Sequence, residues 1–168
     1  RDLAEILIAT GQRPEAIALL EKLPEDPPRR ADVIVLLAQA YLDEQRYDDV
    51  LAFLDATPHF VAWEGQMTTW TNFSRAHLER GRARLAHGEA EAALRDFSAA
   101  VSYPANLGVG RPSRPEHAAA LYGRGQALAQ LGRTEEARRA WTAGAAGAPG
   151  SGEQNRHIEL CRAALAGE

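Results

Sequence analysis

One pattern of residue types recurs four times along the chain and constrains its fold more than any other feature. Each copy has a turn residue, a small or β-branched residue five places later, and a bulky apolar residue four places after that. The turn residues are Gly11, Gln45, Gly88 and Gly132; the small or β-branched residues are Ala16, Val50, Ala93 and Ala137; the bulky residues are Leu20, Leu54, Phe97 and Trp141. A left-handed turn residue ends one helix, and a small residue lets the next helix pack closely on it. The pattern therefore predicts four helical hairpins.

This spacing resembles that of the tetratricopeptide repeat, and ALYGRGQALAQLGRTEEARRAWTAGAAGAP, residues 120–149, matches that family well. The resemblance implies an all-α fold, a right-handed α-solenoid of helical hairpins in a single domain over residues 1–168. The hairpins are expected at about residues 1–28, 31–58, 66–104 and 115–149. Ser151, with Gln154 three places later, suits a capping box, so a final capping helix is expected at about 151–166.

Two insertions interrupt the repeat. Successive turn residues are 34, 43 and 44 residues apart, whereas the family period is 34. The extra residues are expected at about 57–66 and 104–114. Because neighbouring hairpins of a solenoid stack side by side, the insertions should lie together. This predicts a rim formed by Trp63, Glu64, Arg111 and Arg114.

The insertions have alternative interpretations. The aromatic side chains Phe60, Trp63 and Trp70 either cover the gap where the repeat pitch is interrupted or face a ligand. The segment NLGVGRP contains two glycines in the spacing of a dinucleotide-binding motif. It lacks the third glycine of that motif, the strand that precedes it and the helix that starts directly after it. We interpret this stretch as a joint between hairpins, with Pro115 opening the next helix and Glu116 in its first turn.

A narrower resemblance covers about residues 60–145. WEG followed by AHLERGRARLAHGEAEAALRDF looks like the carboxy-terminal repeats of large bacterial proteins that carry an amino-terminal domain of unknown function. This resemblance supplies context and implies no reaction.

Family resemblance also implies a binding surface, because the first helices of these repeats line a concave groove. The aligned groove positions include Gln39, Arg75, Arg82, Tyr122 and Gln126. Polar groups interleaved with apolar ones suit a peptide or a partner helix. The Lys and Asn positions of the dicarboxylate clamp are absent, so binding of chaperone tails is not supported.

Three arginines stand where the repeat usually has other residue types. Arg80 and Arg124 replace apolar residues between the helices of a hairpin, and Arg84 replaces an aromatic one. We expect their aliphatic stems to pack while each guanidinium reaches an acid or solvent, since a buried cation needs a partner.

Composition argues against several functions. Residues 1–64 carry 13 acids and 6 bases, and residues 65–168 carry 10 acids and 13 bases, so general nucleic-acid binding is not expected. No apolar run approaches the roughly 18 residues of a membrane span. The single cysteine and the spacing of the five histidines predict neither a metal site nor a cofactor site. No nucleophile elbow is present, so we expect no enzyme. Localisation stays open, with the cytoplasm favoured.

The leading hypothesis is a noncatalytic scaffold that binds a protein or peptide, or an upstream domain of the same chain, through its groove or its inserted loops. The alternative is a small-molecule module for a sugar or an anion that uses the insertion aromatics and arginines. A purely structural spacer is the third possibility.

Overall fold

The computed structural model describes residues 2–23, 31–56 and 67–167. Within these ranges all the regular secondary structure is helical and there is no strand, which confirms the prediction of an all-α fold of helical hairpins. The helices are α1 Asp2–Ala9, α2 Arg13–Glu21, α3 Ala31–Asp43, α4 Tyr47–Ala56, α5 Met67–Ala86, α6 Ala90–Ala99, α7 Ala118–Gln130, α8 Thr134–Ala145 and α9 Gly152–Ala166, with a 3-10 helix at Ala105–Leu107. The right-handed superhelix stays a prediction.

The chain divides into two compact units. The amino-terminal unit contains Arg1–Ala76 and Pro104–Val109, and the carboxy-terminal unit contains His77–Tyr103 and Gly110–Glu168. The amino-terminal unit holds the first two hairpins and the start of α5. The carboxy-terminal unit holds the rest of α5 and the helices α6 to α9. The prediction of one domain over residues 1–168 stays a prediction.

All four predicted turn residues have left-handed backbones, with φ of 81° at Gly11, 57° at Gln45, 80° at Gly88 and 71° at Gly132. After each of them, the next residue donates its backbone N–H to the carbonyl five residues earlier, as Gln12 does to Leu7 at 2.7 Å. This bond belongs to the Schellman motif that ends a helix. Gln45 adopts the same conformation as the glycines, so the repeat tolerates a side chain there.

The predicted packing positions are confirmed. The small or β-branched residues of all four copies are fully buried, and the bulky residues after them are buried as well. In the carboxy-terminal unit, glycines leave room for the bulky rings. A Cβ at Gly123 would lie 2.5 Å from the Phe97 ring, and one at Gly125 would lie 2.1 Å from Nε1 of Trp141. Both distances are shorter than a van der Waals contact, so Phe97 and Trp141 each require a glycine at the position that they face.

Helix α9 is joined to α7 by a variant of the expected capping box. The Ser151 hydroxyl accepts the backbone N–H of Gln154 at 3.2 Å, as predicted. The Gln154 side chain, however, does not return to its own helix. Its Oε1 accepts the N–H of Ala118 at 3.0 Å, and its Nε2 donates to the carbonyl of Ala148 at 3.1 Å. Gln154 is buried. Because its Oε1 accepts the N–H of the first residue of α7, its side chain caps that neighbouring helix.

The expectation that Pro115 opens α7 was wrong, because that helix begins at Ala118. Glu116 precedes the helix and accepts both the backbone N–H of Ser151 and its hydroxyl. Glu116 thus holds the start of α9 and does not lie in the first turn of α7.

The first part of the second insertion, Pro104–Val109, packs within the amino-terminal unit. Leu107 is buried, and Asn106 Nδ2 donates to the carbonyl of Leu54 at 3.1 Å. Gly108 has a φ of 67° and ends the 3-10 helix. These features fit a packed joint better than a phosphate loop. The first insertion lies outside the described residues.

Candidate functional site

Helices α5, α7 and α9 surround an open pocket of about 760 Å³ in the carboxy-terminal unit. We call it the α5–α7–α9 groove. Four positions of α7 and four of α9 share the spacing i, i+3, i+4 and i+7, which places each set on one helix face. The lining residues are Arg82 from α5; Ala119, Tyr122, Gly123 and Gln126 from α7; and Gly152, Glu153, Arg156, His157 and Leu160 from α9.

Three of the predicted groove residues, Arg82, Tyr122 and Gln126, line this pocket together. Arg82 and Gln126 both lie six residues before a turn residue, so they are equivalent positions of successive hairpins. Gln39 and Arg75 belong to the amino-terminal unit. Gln39 donates from Nε2 to Oδ1 of Asp43 at 3.0 Å, and Arg75 is exposed. Their participation in a binding groove stays a prediction.

Arg82 is neutralised by two carboxylates. Its Nη1 lies 2.7 Å from Oε1 of Glu79, and its Nη2 lies 3.1 Å from Oε1 of Glu153. The second ion pair joins α5 to α9 within the lining of the groove. Arg82 therefore holds the groove in shape and offers little uncompensated charge to a ligand.

His157 completes this junction. Its Nδ1 lies 2.8 Å from the carbonyl of Glu153, and because a carbonyl can only accept, Nδ1 carries a proton. In the neutral ring Nε2 is then the acceptor for Nη2 of Arg82, at 3.3 Å. The imidazole is buried and lies at a tilt to the Tyr122 ring, with centroids 6.0 Å apart.

The sequence interpretation missed His157 and Glu153 because α9 was expected only to cap the repeats. One signal was available: His157 lies three residues after Gln154 and four before Cys161, on the buried stripe of the helix. That stripe also buries the Cys161 thiol, and burial raises its pKa to about 11. This thiol is therefore not poised for nucleophilic chemistry.

Three polar side chains of the groove make no hydrogen bond to other described residues. They are the hydroxyl of Tyr122, the amide of Gln126 and the exposed guanidinium of Arg156. Ala119 and Leu160 add apolar side chains to the same lining. Such a surface can bind a polar backbone and a carboxylate beside a small apolar side chain.

A buried charge cluster joins α5 to α6 and is centred on Asp96, whose side chain is 2% exposed. Its carboxylate accepts from Nη2 of Arg80 at 2.7 Å and from Nη1 of Arg84 at 2.8 Å, and it lies 2.9 Å from Nδ1 of His77. Burial by itself raises the pKa of Asp96, but the hydrogen bonds from His77 and Arg80 and the charges of both arginines outweigh burial, so its pKa is lowered.

The expectation that Arg80 and Arg84 reach an acid is confirmed, since both contact Asp96. They lie on the side of α5 away from Arg82, which is two residues from each, so one helix directs two cations to α6 and one to the groove. Arg124 differs from them: its buried Nε has no hydrogen-bond partner among the described residues.

Two residues of the predicted insertion rim, Arg111 and Arg114, line a smaller pocket of about 240 Å³ with Ser113, Pro115 and His117. Nε2 of His117 lies 2.8 Å from the Tyr103 hydroxyl. Burial, and secondarily the charge of Arg111, lower the pKa of His117. Trp63 and Glu64 lie outside the described residues, so their contact with the arginines stays a prediction.

The described residues contain no group of three His, Cys, Asp or Glu side chains that could hold a metal ion. Among the same residues, no helix is both long and apolar enough to cross a membrane.

Helical hairpins repeated along the chain define the class of helical-repeat proteins. The model of the tetratricopeptide repeat family matches residues 1–59 and 75–152, most of the chain. The protein belongs to the tetratricopeptide repeat family. Such repeats generally mediate protein–protein interaction or scaffolding, and their fold is typically noncatalytic. No curated protein and no solved structure matches the chain significantly.

Proposed function

We propose that this chain is a noncatalytic scaffold that binds a segment of a partner protein in the α5–α7–α9 groove. The observation that carries the proposal is a set of three side chains, Tyr122, Gln126 and Arg156, that make no hydrogen bond to other described residues while they line one pocket. Polar groups left open beside apolar surface are what a bound peptide would satisfy.

The chemistry of these groups indicates which kind of peptide segment the groove can bind. The Gln126 amide both donates and accepts, so it can pair with a peptide backbone. Arg156 offers a guanidinium, the preferred partner of a carboxylate. Ala119 and Leu160 provide room for an apolar side chain. We therefore expect a segment with an acidic residue next to an apolar one. Arg82 is not expected to anchor it, because Glu79 and Glu153 already neutralise that cation.

The experiment is a selection of displayed random peptides on the intact chain, followed by titration of the enriched peptides by fluorescence anisotropy. Arg156→Ala should weaken binding by about tenfold or more, which corresponds to a charge-assisted hydrogen bond of roughly 1.5 kcal/mol. Gln126→Ala and Tyr122→Phe should weaken it less.

Arg95→Ala is the matched control, because Arg95 is also an exposed helical arginine without a hydrogen bond among the described residues but does not line this groove. Enriched peptides that bind equally well to Arg156→Ala and to Arg95→Ala would contradict the proposal.

The partner segment has two sources in this proposal. One is a separate protein. The other is a domain of the same polypeptide, which the narrower resemblance to the carboxy-terminal repeats of large bacterial proteins suggests. Fusing an enriched peptide to the chain and measuring whether it competes with added peptide shows whether the groove accepts a ligand in cis.

A second candidate is anion or sugar binding at the insertion rim, and one observation favours it: Arg111 and Arg114 line the same small pocket as Ser113 and His117. Thermal unfolding with added sulfate or monosaccharide, in the native chain and in Arg111→Ala, Arg114→Ala and Trp63→Ala, tests this function. Equal thermal shifts in all four proteins would exclude it.

A further inference from the structure

The smaller pocket of the carboxy-terminal unit, about 240 Å³ in volume, is lined by the start of α7 and the end of α8, and we call it the α7–α8 pocket. The segment directly before α7 and the Gln154 side chain of α9 complete its described lining. Pockets that bind drug-sized ligands have volumes of roughly 300–1,000 Å³. The α7–α8 pocket therefore suits a smaller molecule.

The charged side chains that line this pocket are cations. Arg111 and Arg114 are both exposed, and neither makes a hydrogen bond or an ion pair with another described residue. None of the described lining residues is acidic. The acid between them and α7, Glu116, instead accepts the backbone N–H and the hydroxyl of Ser151. Both guanidinium groups are therefore uncompensated, unlike that of Arg82, and they attract an anion.

The buried members of the lining are uncharged. Ala118 and Gly144 have no polar side-chain atom. The Gln154 amide is already hydrogen-bonded, through Oε1 to the N–H of Ala118 and through Nε2 to the carbonyl of Ala148. A ligand hydroxyl beside these side chains would lose water without gaining a side-chain partner, which is unfavourable. The exposed members of the lining thus suit a charge, and the buried members suit an apolar group.

The end of α8 limits how much negative charge the pocket can accept. Ala143 and Gly144 belong to the last turn of that helix, and Ala146 follows it directly. The carboxy-terminal end of a helix carries a partial negative charge on its unpaired carbonyls. It repels a doubly charged anion more strongly than a singly charged one. An anion with one charge and an uncharged tail therefore fits both the arginines and α8.

We propose that the α7–α8 pocket binds a small monocarboxylate with a short apolar tail. The carboxylate pairs with Arg111 and Arg114, since guanidinium groups are the preferred partners of carboxylates. The Ser113 hydroxyl lines the same pocket and can donate a further hydrogen bond. The tail packs against Leu121 and the alanines at the end of α8. This assignment rests on the second candidate function, anion or sugar binding at the insertion rim, and narrows it to one class of anion.

The experiment is a titration of the isotopically labelled full chain with sodium acetate, sodium butyrate, sodium sulfate or butyramide at constant ionic strength, followed by the backbone amide signals of Ser113 and Leu121. Butyrate should bind about tenfold more tightly than acetate, because it removes two more methylene groups from water. Butyramide has the same length but no charge, so it should bind at least about tenfold more weakly than butyrate. Sulfate should also bind more weakly than butyrate.

Variants test the two parts of the pocket separately. Arg111→Gln and Arg114→Gln should each weaken butyrate binding by about tenfold. Ala143→Leu fills the apolar part from an exposed position and should remove the preference for butyrate over acetate. Arg139→Gln is the matched control, because Arg139 is an exposed arginine of α8 that makes no hydrogen bond to other described residues and does not line this pocket. It should leave binding unchanged.

Circular dichroism of each variant checks the fold, which should persist because the substituted side chains are exposed. Equal affinity for acetate and butyrate, or butyrate binding that Arg111→Gln and Arg114→Gln leave unchanged, would overturn the proposal. Sulfate that binds more tightly than butyrate and is lost in Arg111→Gln would also overturn it, but the second candidate function would stand. If none of the anions shifted the amide signals, both would fail.

Discussion

Phe97 packs against the backbone of α7 at Gly123, where a Cβ would lie 2.5 Å from Cε1 of the ring. The same ring also limits Gly81 on α5, where a Cβ would lie 2.9 Å from Cε1. One aromatic side chain of α6 thus sets the approach of two helices that contribute to the groove. The packing behind the groove and its shape are therefore linked through Phe97.

Gly123→Ala should destabilise the protein by roughly 1–3 kcal/mol, because the added methyl group overlaps a ring that is fully buried. Urea unfolding followed by circular dichroism measures this change. Gly152→Ala is the control, since a Cβ there meets nothing within 4 Å, and it should be neutral or stabilising by up to about 1 kcal/mol. Similar midpoints for the two variants would contradict the close packing.

Asp96→Ala should lower the free energy of unfolding by about 2–4 kcal/mol, because it leaves Arg80 and Arg84 partly buried without their shared acid. The loss is smaller than for a wholly buried pair, since these guanidinium groups reach solvent in part. Chemical denaturation measures the change. Glu91→Gln, at an exposed position of the same helix, should stay within about 0.5 kcal/mol. A loss no larger than that of Glu91→Gln would mean that the cluster does not stabilise the fold.

The contribution of Asp96 should also depend on pH. Its pKa is lowered in the folded state, so its stabilisation is present above the ordinary value of about 4 and is lost as the pH falls through the lower folded value. The difference in unfolding free energy between the native protein and Asp96→Asn should therefore shrink as the pH falls below about 4. A difference that persists undiminished at the lowest pH where the chain stays folded would contradict the lowered pKa.

Gln154→Ala should cost about 1–3 kcal/mol, because it leaves the N–H of Ala118 and the carbonyl of Ala148 without their partner in a buried place. Hydrogen exchange should also quicken at the first turn of α7 and not at its last turn. Thermal unfolding and exchange mass spectrometry test the two parts separately. Exchange that quickens only within α9 would show that Gln154 serves its own helix.

The hairpins could be predicted because the repeat fixes residue size at a few positions. Left-handed turns at Gly88 and Gly132, and buried alanines five residues later, follow from backbone geometry and close packing alone. Asp96 could not be predicted in the same way. Its equivalents in the other copies are Leu19, Phe53 and Ala140, so the repeat pattern assigns no acid to this position. Only the structure shows that Asp96 is the partner of Arg80 and Arg84.

The groove was predicted only in part, for a similar reason. Arg82, Tyr122 and Gln126 follow from the repeat register, because each lies at a fixed distance from a turn residue. Arg156 and His157 belong to α9, which lies beyond the last repeat and has no equivalent position to align. Its alternation of acids and bases resembles a solvated helix, and only the fold brings this helix over α7 and α5.

Site-specific photo-crosslinking tests the claim that the α5–α7–α9 groove is the binding surface. A benzoylphenylalanine placed at Tyr122 in the full chain, inside cells that express it natively, should capture one partner, and adding Arg156→Ala should reduce the yield by about tenfold. The same probe at Arg95, on the surface of α6, should capture none of that partner. Equal capture from both positions, or capture at Tyr122 that Arg156→Ala leaves unchanged, would contradict the assignment of the groove.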